Sequence, residues 1–313
     1  MICIVLVIHH PPAPYPGAQH QIFVEPEDGY KPVLDALNSA HSSIYVEMYL
    51  ITDKNIINAL KNASSRGVDV KVLLEDYSYG NHASFKAVMD SLNSSGASVQ
   101  VSSPAFRLTH EKAIVVDRKT ALIMTLNQAP TAYTKNREFG LIDYNTTDAA
   151  EIAKAFEADW NRTSPSLSDP NLIWSPTNSR DRIISLIDSA EKSLEIENEE
   201  MQDREVEDRL ISAAKRGVAV QVVMSPSTTK TDPNAPGLER ITRGGVKVCL
   251  VKNPYIHAKI IIVDGIKAFI GSENFSPTSL DKNRELGILV YDPGVLQVLS
   301  STFDDDWNSG SHA

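Results

Sequence analysis

Cysteine is nearly absent: Cys3 and Cys249 are the only two in 313 residues. Two thiols supply neither a disulfide scaffold nor a cysteine metal cluster. Positive charge is also scarce, with 30 Lys and Arg against 40 Asp and Glu, a net charge of −10 and a pI near 5.3. That balance argues against broad electrostatic adhesion to nucleic acid or to an anionic membrane, while leaving room for a local basic patch. Long apolar runs are missing too. The stretch ICIVLVI at residues 2–8 is far shorter than the roughly 20 residues that cross a bilayer, and no basic segment precedes it as in a signal peptide. The Pro-rich HHPPAPYPGAQ behind it makes residues 1–20 a flexible lead-in. Two readings of that lead-in are a clipped or atypical signal with a linker, and an added tail. The first places the chain in a secreted or cell-envelope setting, which is favoured slightly over the cytoplasm.

What is present is a balance of 42% hydrophobic and 22% charged residues, ordinary for a globular chain of one large or two moderate domains. The chain also repeats itself. Residues 110–142 and 257–289 superpose at a constant offset of 147, matching His110 with His257, Lys112 with Lys259, Asp117 with Asp264 and Asn127 with Asn274. Asn136, Arg137 and Glu138 then meet Asn283, Arg284 and Glu285. Seven polar identities without a gap are not coincidence, and the chain is an internal duplication. Upstream the offset is 150, pairing Glu47 with Glu197, Arg66-Gly67 with Arg216-Gly217 and Pro26 with Pro176. A length difference of three residues therefore lies between Asp76 and Phe106. Units this long build two similar facing lobes rather than a solenoid. Residues 21–165 are expected to form the first and 170–313 the second, with the Pro- and Ser-rich TSPSLSDPN at 163–171 as the boundary.

Within a unit the pattern alternates. Residues 21–26, 43–50 and 68–75 read as strands, while 29–40 and 55–67 read as helices. Strand, helix and strand in succession predict parallel crossovers and an α/β layered lobe. Arg66-Gly67 and Arg216-Gly217 read as helix stops with a cation at the negative end of the dipole. HAKIIIVDGIKAFIG reads as a hairpin turning at Asp264-Gly265, with Asp117-Arg118 at the same turn in the first copy. His257 and Lys259, two apart on a strand, share a face, whereas Asp264 has the opposite parity and a structural task at the turn.

Taken singly, each feature has an ordinary explanation. His-X-Lys on a strand is commonplace, Asp-Gly suits any hairpin, and Glu138 or Glu285 alone could be surface charge. Glu47 and Glu197 read as structural. A repeated fold needs its apolar pattern retained, however, and not His, Lys, Asn and Glu together at unchanged spacing.

The pattern His-X-Lys, four residues, Asp, then Gly-Ser-X-Asn resembles the signature of the phospholipase D superfamily. His257, Lys259, Asp264, Gly271, Ser272 and Asn274 fit it fully. His110, Lys112, Asp117 and Asn127 fit the first copy, with Met124-Thr125 where Gly-Ser would stand; Thr125 keeps the hydroxyl. The resemblance spans about Gln21 to Trp307. It implies two pseudo-twofold-related α/β/α lobes and a phosphodiester-cleaving enzyme. Attack on a phosphodiester needs a nucleophile, a proton donor for the leaving alkoxide, and cations for the equatorial oxygens. Two histidines on opposite sides of phosphorus suit in-line displacement, one attacking and one protonating. Lys112 and Lys259, with Asn127, Asn274, Ser272 and Thr125, would hold the phosphate. By resemblance Glu138 and Glu285 orient the histidines, Asp117 and Asp264 are structural, and His110 is the nucleophile. No metal and no other cofactor is expected, since no further Cys, His or Asp cluster has ligand spacing. The expected substrate is a phospholipid, hydrolysed or transferred by a monomer with at most peripheral membrane contact. Nuclease action on DNA or RNA is the alternative. A phosphatidyl transferase like cardiolipin synthase and a non-catalytic binding module stand behind both.

Overall fold

A computed structural model describes residues 19–80 and 82–312. The apolar N-terminal run, Cys3 and most of the lead-in lie outside the described residues. The first half runs β1 (His20–Glu25), α1 (Lys31–Asn38), β2 (Ser43–Met48), α2 (Lys54–Ser65), β3 (Asp69–Leu74) and α3 (His82–Asn93). It continues through β4 (Ser98–Val101), β5 (Lys112–Val116), β6 (Thr120–Met124), β7 (Asn136–Asp143) and α4 (Thr146–Trp160). The second half runs β8 (Leu172–Ser175), α5 (Ser179–Asp188), β9 (Ser193–Glu197), α6 (Arg204–Lys215), β10 (Ala219–Met224) and α7 (Ala235–Arg243). Then come β11 (Lys247–Leu250), β12 (Tyr255–Ile256), β13 (Ile260–Val263), β14 (Lys267–Gly271) and α8 (Pro277–Asp281). The last elements are β15 (Glu285–Val290), α9 (Pro293–Ser309) and β16 (Ser311–His312). Of the three-residue length difference, one residue falls between β3 and β4 and two between β4 and His110, since β4 and β11 stand at an offset of 149.

Both sheets have the same order. The first is β1-β7-β6-β5-β2-β3-β4, and the second is β8-β15-β14-β13-β9-β10-β11 with β16 added at the edge. Along these two orders β2-β3-β4 and β9-β10-β11 pair in parallel and the other neighbours antiparallel. The parallel crossovers expected from strand-helix alternation are thus limited to the middle of each unit. The tight turns joining β5 to β6 and β13 to β14 are too short for a parallel return, so these strands must run antiparallel.

Alternation along the strands sorts the apolar side chains into three clusters. Ile44, Val46, Ile114 and Val116 pack outward on α1, α2 and α3, and Leu194, Ile196, Ile261 and Val263 pack outward on α5, α6 and α7. The opposite faces carry Tyr45, Ala113, Val115, Ile260 and Ile262, which meet α4 and α9 in one cluster drawn from both halves. Each fully buried Ile or Leu there contributes about 1.5–3 kcal/mol. The halves are therefore closed onto each other by a common apolar layer.

The arginines at the ends of α2 and α6 differ from expectation. Gly67 and Gly217 do stop the helices with positive φ of 90° and 93°. Arg66, however, reaches across to the carbonyls of Leu37 and Asn38 at the end of α1, at 3.4 and 3.3 Å. Arg216 reaches the Asp188 carbonyl at the end of α5 at 3.3 Å. Each guanidinium thus serves the C-terminal carbonyls of the neighbouring helix.

The motif aspartates hold the hairpins to the sheets. Asp117 and Arg118 adopt φ of 52° and 56°, and Asp264 and Gly265 adopt 54° and 67°, the left-handed pair that a two-residue hairpin turn requires. The Asp117 carboxylate accepts the backbone N–H groups of His41, Ser42 and Ser43 at 3.0, 2.7 and 2.9 Å. Asp264 accepts those of Glu191, Lys192 and Ser193 at 3.0, 2.7 and 2.8 Å. Each carboxylate thereby fixes the chain entering β2 or β9. Partial burial pushes the Asp117 carboxyl up, yet the N–H groups of Ser43, Ser42 and His41 outweigh it and hold it down at about 2. A depressed carboxyl stabilises the fold above its unfolded value and loses that contribution as pH falls through the folded one. Asp117→Ala should lower unfolding free energy at pH 7 by about 1–3 kcal/mol in urea titration. The deficit should shrink between about pH 4 and pH 2; a deficit independent of pH would show that the carboxylate is not its source.

Candidate active site

The stretch ahead of each histidine leaves its own sheet. β12 pairs in parallel with β7 of the other half, matching Tyr255 with Asn136 and Ile256 with Arg137. The His257 N–H then donates to the Arg137 carbonyl at 3.2 Å. In the other direction Thr109 bridges Arg284, the His110 N–H donates to the Arg284 carbonyl at 2.9 Å, and the Arg284 N–H donates to Leu108 at 2.8 Å. Sequence alternation places each His-X-Lys on one strand. Instead β5 begins at Lys112 and β13 at Ile260, because the preceding backbone is hydrogen-bonded to the opposite half.

Each histidine consequently lands on the other half's glutamate. His110 Nδ1 lies 2.9 Å from Glu285 Oε2, and His257 Nδ1 lies 2.8 Å from Glu138 Oε1. Both glutamates are fully buried, while the rings keep 13% and 12% side-chain exposure. The repeated asparagines hold these carboxylates, Asn283 Nδ2 donating to Glu285 at 3.0 Å and Asn136 Nδ2 to Glu138 at 3.2 Å. Thr125 Oγ1 donates to Glu138 at 2.7 Å, and Ser279 Oγ donates to Glu285 at the same distance. Ser272 Oγ accepts from the Leu286 N–H at 3.1 Å. Thr125 and Ser272 were expected at the phosphate; both hydroxyls are fully buried and turned into the protein behind the glutamates.

The repeated arginines cross the interface as well. Arg137 places Nε 2.6 Å and Nη2 3.1 Å from the Asp306 carboxylate on α9. Arg284 places Nε 2.7 Å from Asp159 on α4, with its guanidinium 4.6 Å from the Trp174 ring centre. Removing one partner of such a buried pair typically costs about 3–5 kcal/mol, because the other charge is stranded. Asn-Arg-Glu is thus one device: Asn steadies Glu, Glu receives the opposite histidine, and Arg grips the opposite helix.

The lysines stand beside the histidines, fully buried. Lys112 Nζ donates to the His110 carbonyl at 2.6 Å, and Lys259 Nζ donates to that of His257. Burial pushes the Lys112 ammonium down to about 7. It also lowers the His110 imidazole below its ordinary value, against the pull of Glu285. Burial alone would raise Glu285 and Glu138; His110 and Lys112 outweigh it at Glu285, and His257 and Lys259 at Glu138, so both carboxyls lie below their usual value. A neutral His110 donating from Nδ1 to an ionised Glu285 leaves the Nε2 lone pair free. Asn127 and Asn274, the other expected phosphate ligands, each have a buried side-chain oxygen with no hydrogen-bond partner.

The copies differ at one position against the histidines. Tyr49 sits with its ring centre 4.8 Å from that of His110, and the Lys112 ammonium lies 5.5 Å from the Tyr49 ring centre. At offset 150 its counterpart is Glu199, whose Oε2 lies 3.0 Å from Lys259 Nζ and 3.3 Å from His257 Nε2.

Known proteins resemble this chain in sequence and fold. The model of the family described as "Cardiolipin synthase, PLD-like domain" matches twice, over residues 33–160 and 183–307. The chain belongs to the phospholipase D superfamily. Among curated relatives of this superfamily member, the major cardiolipin synthase of Bacillus subtilis (strain 168) is 23% identical over 91% of this chain and 68% of its own length. Cardiolipin synthase 2 of Bacillus cereus is 24% identical over 91% of this chain and 64% of its own length. The chain thus spans about two-thirds of these relatives. The crystal structure of phosphatidylserine synthase from Haemophilus influenzae Rd KW20 has the same fold, with a TM-score of 0.73 at 15% identity over 94% of this chain and 87% of that one. Polyphosphate kinase from Porphyromonas gingivalis also scores 0.73, at 18% identity over 91% of this chain and 46% of that one. Phosphodiester chemistry of the phospholipase D type is the chemistry of this superfamily member.

Sequence reasoning missed Asp159 and Asp306, although Asp159-Trp160-Asn161 meets Asp306-Trp307-Asn308 at the same offset of 147. It also missed Glu199, which no repeat could reveal because its mate is Tyr49. The crossing contacts predict that Glu285→Ala disturbs His110 and not His257. Nitrogen-15 NMR should show a changed titration for His110 alone, and phosphodiester cleavage should fall by about 10²-fold or more. An unchanged His110 signal would separate the two groups in solution.

Proposed function

We propose that this chain moves a phosphatidyl group from a phospholipid phosphodiester through a covalent phosphohistidine. The observation carrying the proposal is the reciprocal pair of histidines, each oriented through Nδ1 by a buried glutamate of the other half. His110 Nε2 attacks phosphorus, and the phosphorus–oxygen bond to the leaving alcohol breaks in line. His257 gives its Nε2 proton to the departing alkoxide. An incoming hydroxyl then loses its proton to His257 and attacks phosphorus, releasing His110. Lys112 and Lys259, with Asn127 and Asn274, hold the equatorial oxygens, and Thr125 and Ser272 steady the glutamates from behind.

The environments of the two rings support this division of roles. His257 has a carboxylate against each nitrogen, Glu138 on Nδ1 and Glu199 on Nε2, so an N–H at both positions satisfies both. His110 faces the Tyr49 ring and is lowered by burial, which suits a neutral nucleophile. A net charge of −10 disfavours nucleic acid, a polyanion along its whole length, more than a single phospholipid head group. The synthase names of the relatives favour an alcohol acceptor, with hydrolysis when water takes its place.

Acid-quenched and base-quenched samples taken during turnover of labelled phosphatidylglycerol, with and without added glycerol, should contain an acid-labile phosphoprotein and a transfer product. Turnover of single-stranded DNA in place of lipid would move the reading to a nuclease. On a nitrophenyl phosphodiester, whose leaving group needs little protonation, His257→Ala should keep measurable activity while His110→Ala loses it. The reverse pattern would exchange the two assignments.

The pH profile follows from the buried cation. With Lys112 down at about 7, its charge is lost in the free enzyme as pH rises through that value, so kcat/KM should decline above pH 7. A bound phosphate favours the ammonium, so the same limb in kcat should move to higher pH. Lys112→Arg, whose guanidinium stays charged, should remove the limb from kcat/KM. A limb that survives this substitution belongs to another group.

A further inference from the structure

The cations of the second half already hold an anion. Glu199 Oε2 lies 3.0 Å from Lys259 Nζ and 3.3 Å from His257 Nε2, the atoms that the proposed function assigns to the substrate's phosphate and proton. Burial pushes this carboxyl up, but His257, Lys259 and, more distantly, His110 outweigh it and hold it ionised well below the usual carboxylate range. The side chain is 26% exposed, so it forms part of the wall of the site. In the first half Tyr49 occupies the equivalent position and offers a ring to His110 and Lys112 where the second half offers a carboxylate.

We propose that Glu199 is a built-in competitor for the substrate's phosphate, occupying the second-half seat at rest and leaving only when a phosphodiester, entering from the His110 side, displaces it. A carboxylate and a phosphate oxygen cannot both accept from the same ammonium and imidazole without repelling each other at short range. The displaced side chain has space beside it. A cavity of about 210 Å³ opens next to Glu199, lined by Gln202, Ser225, Thr229, Asn234 and Tyr255, with the acids Glu200 and Asp232 also on its wall. The Gln202 and Asn234 amides there each keep a second N–H that can receive the carboxylate, whereas the Ser225 and Thr229 hydroxyls already donate to the Val251 and Thr231 carbonyls. Glu199 thereby acts as a specificity-determining residue: a ligand must bring enough negative charge and enough other contacts to take Lys259 and His257 away from it. Weak anions are refused, and His257 keeps a hydrogen-bond partner on Nε2 until substrate arrives.

The probe is inorganic phosphate, its binding measured by calorimetry to the full chain, to Glu199→Gln and to Glu199→Ala, with melting temperatures recorded for all three. Removing the competing charge should tighten phosphate binding about tenfold or more in both variants, a change of about 1.4 kcal/mol. Unchanged or weaker binding in variants that melt like the parent overturns the proposal. If either variant melts early, the parent chain crystallised with phosphate decides. Phosphate at Lys259 with Glu199 turned away supports displacement; phosphate beside an intact Lys259–Glu199 pair, or no phosphate at the seat, overturns it. The inference rests on the proposed function for the identity of the seat, but binding is read without turnover. A chain that binds phosphate as expected and cleaves no phosphodiester would sink the proposed function alone.

Discussion

The arrangement depends on a hydrogen bond made twice across the interface: an imidazole Nδ1 from one half against a buried carboxylate from the other. A buried carboxylate is tolerable only with partners that repay its desolvation. Glu285 has His110, Asn283 and Ser279, and Glu138 has His257, Asn136 and Thr125. Because the histidine always comes from the opposite half, neither unit can satisfy its glutamate alone. The backbone pairing of β12 with β7 and of Thr109 with Arg284 delivers the rings, and the Arg137–Asp306 and Arg284–Asp159 pairs lock the delivery. Apolar burial closes the halves onto each other, and these directional contacts set the register in which they close.

Duplication alone would leave two equivalent histidines, whereas the proposed in-line displacement asks one to attack and the other to donate. The difference is made by what stands against each ring. Tyr49 presents an aromatic ring to His110, and Glu199 presents a charge to His257 and Lys259. A single position of the repeat thus separates environments that the shared motif would make alike. Burial also disfavours charge on His110 and Lys112, outweighing the pull of Glu285 on both.

Much of this was legible in the chain. The motif aspartates were assigned to hairpin turns from the two apolar strands flanking them, and the turns bear left-handed backbone at Asp117 and Asp264 where they were placed. The duplicated α/β order was legible in the alternation of apolar runs, since a half-buried strand has period two whatever it packs against. The destination of Arg66, the outward reach of Thr109 to His110 and the inward turn of Thr125 and Ser272 were not. Each depends on which carbonyl, carboxylate or strand from a distant segment lies nearest, and local pattern carries no such information.

Sequence by itself determined that the chain is a duplication, that it belongs to the phospholipase D superfamily, and that His110 and Lys112 recur as His257 and Lys259, because residue identity at constant spacing survives without coordinates. Tertiary structure decided which glutamate each histidine meets, why the Asn-Arg-Glu run is repeated, and that Glu199 stands against His257 where Tyr49 stands against His110. The physical reason is one of range. Hydrogen bonds and ion pairs act over a few ångströms in space, and the partners here, such as His110 and Glu285, are separated by 175 residues along the chain.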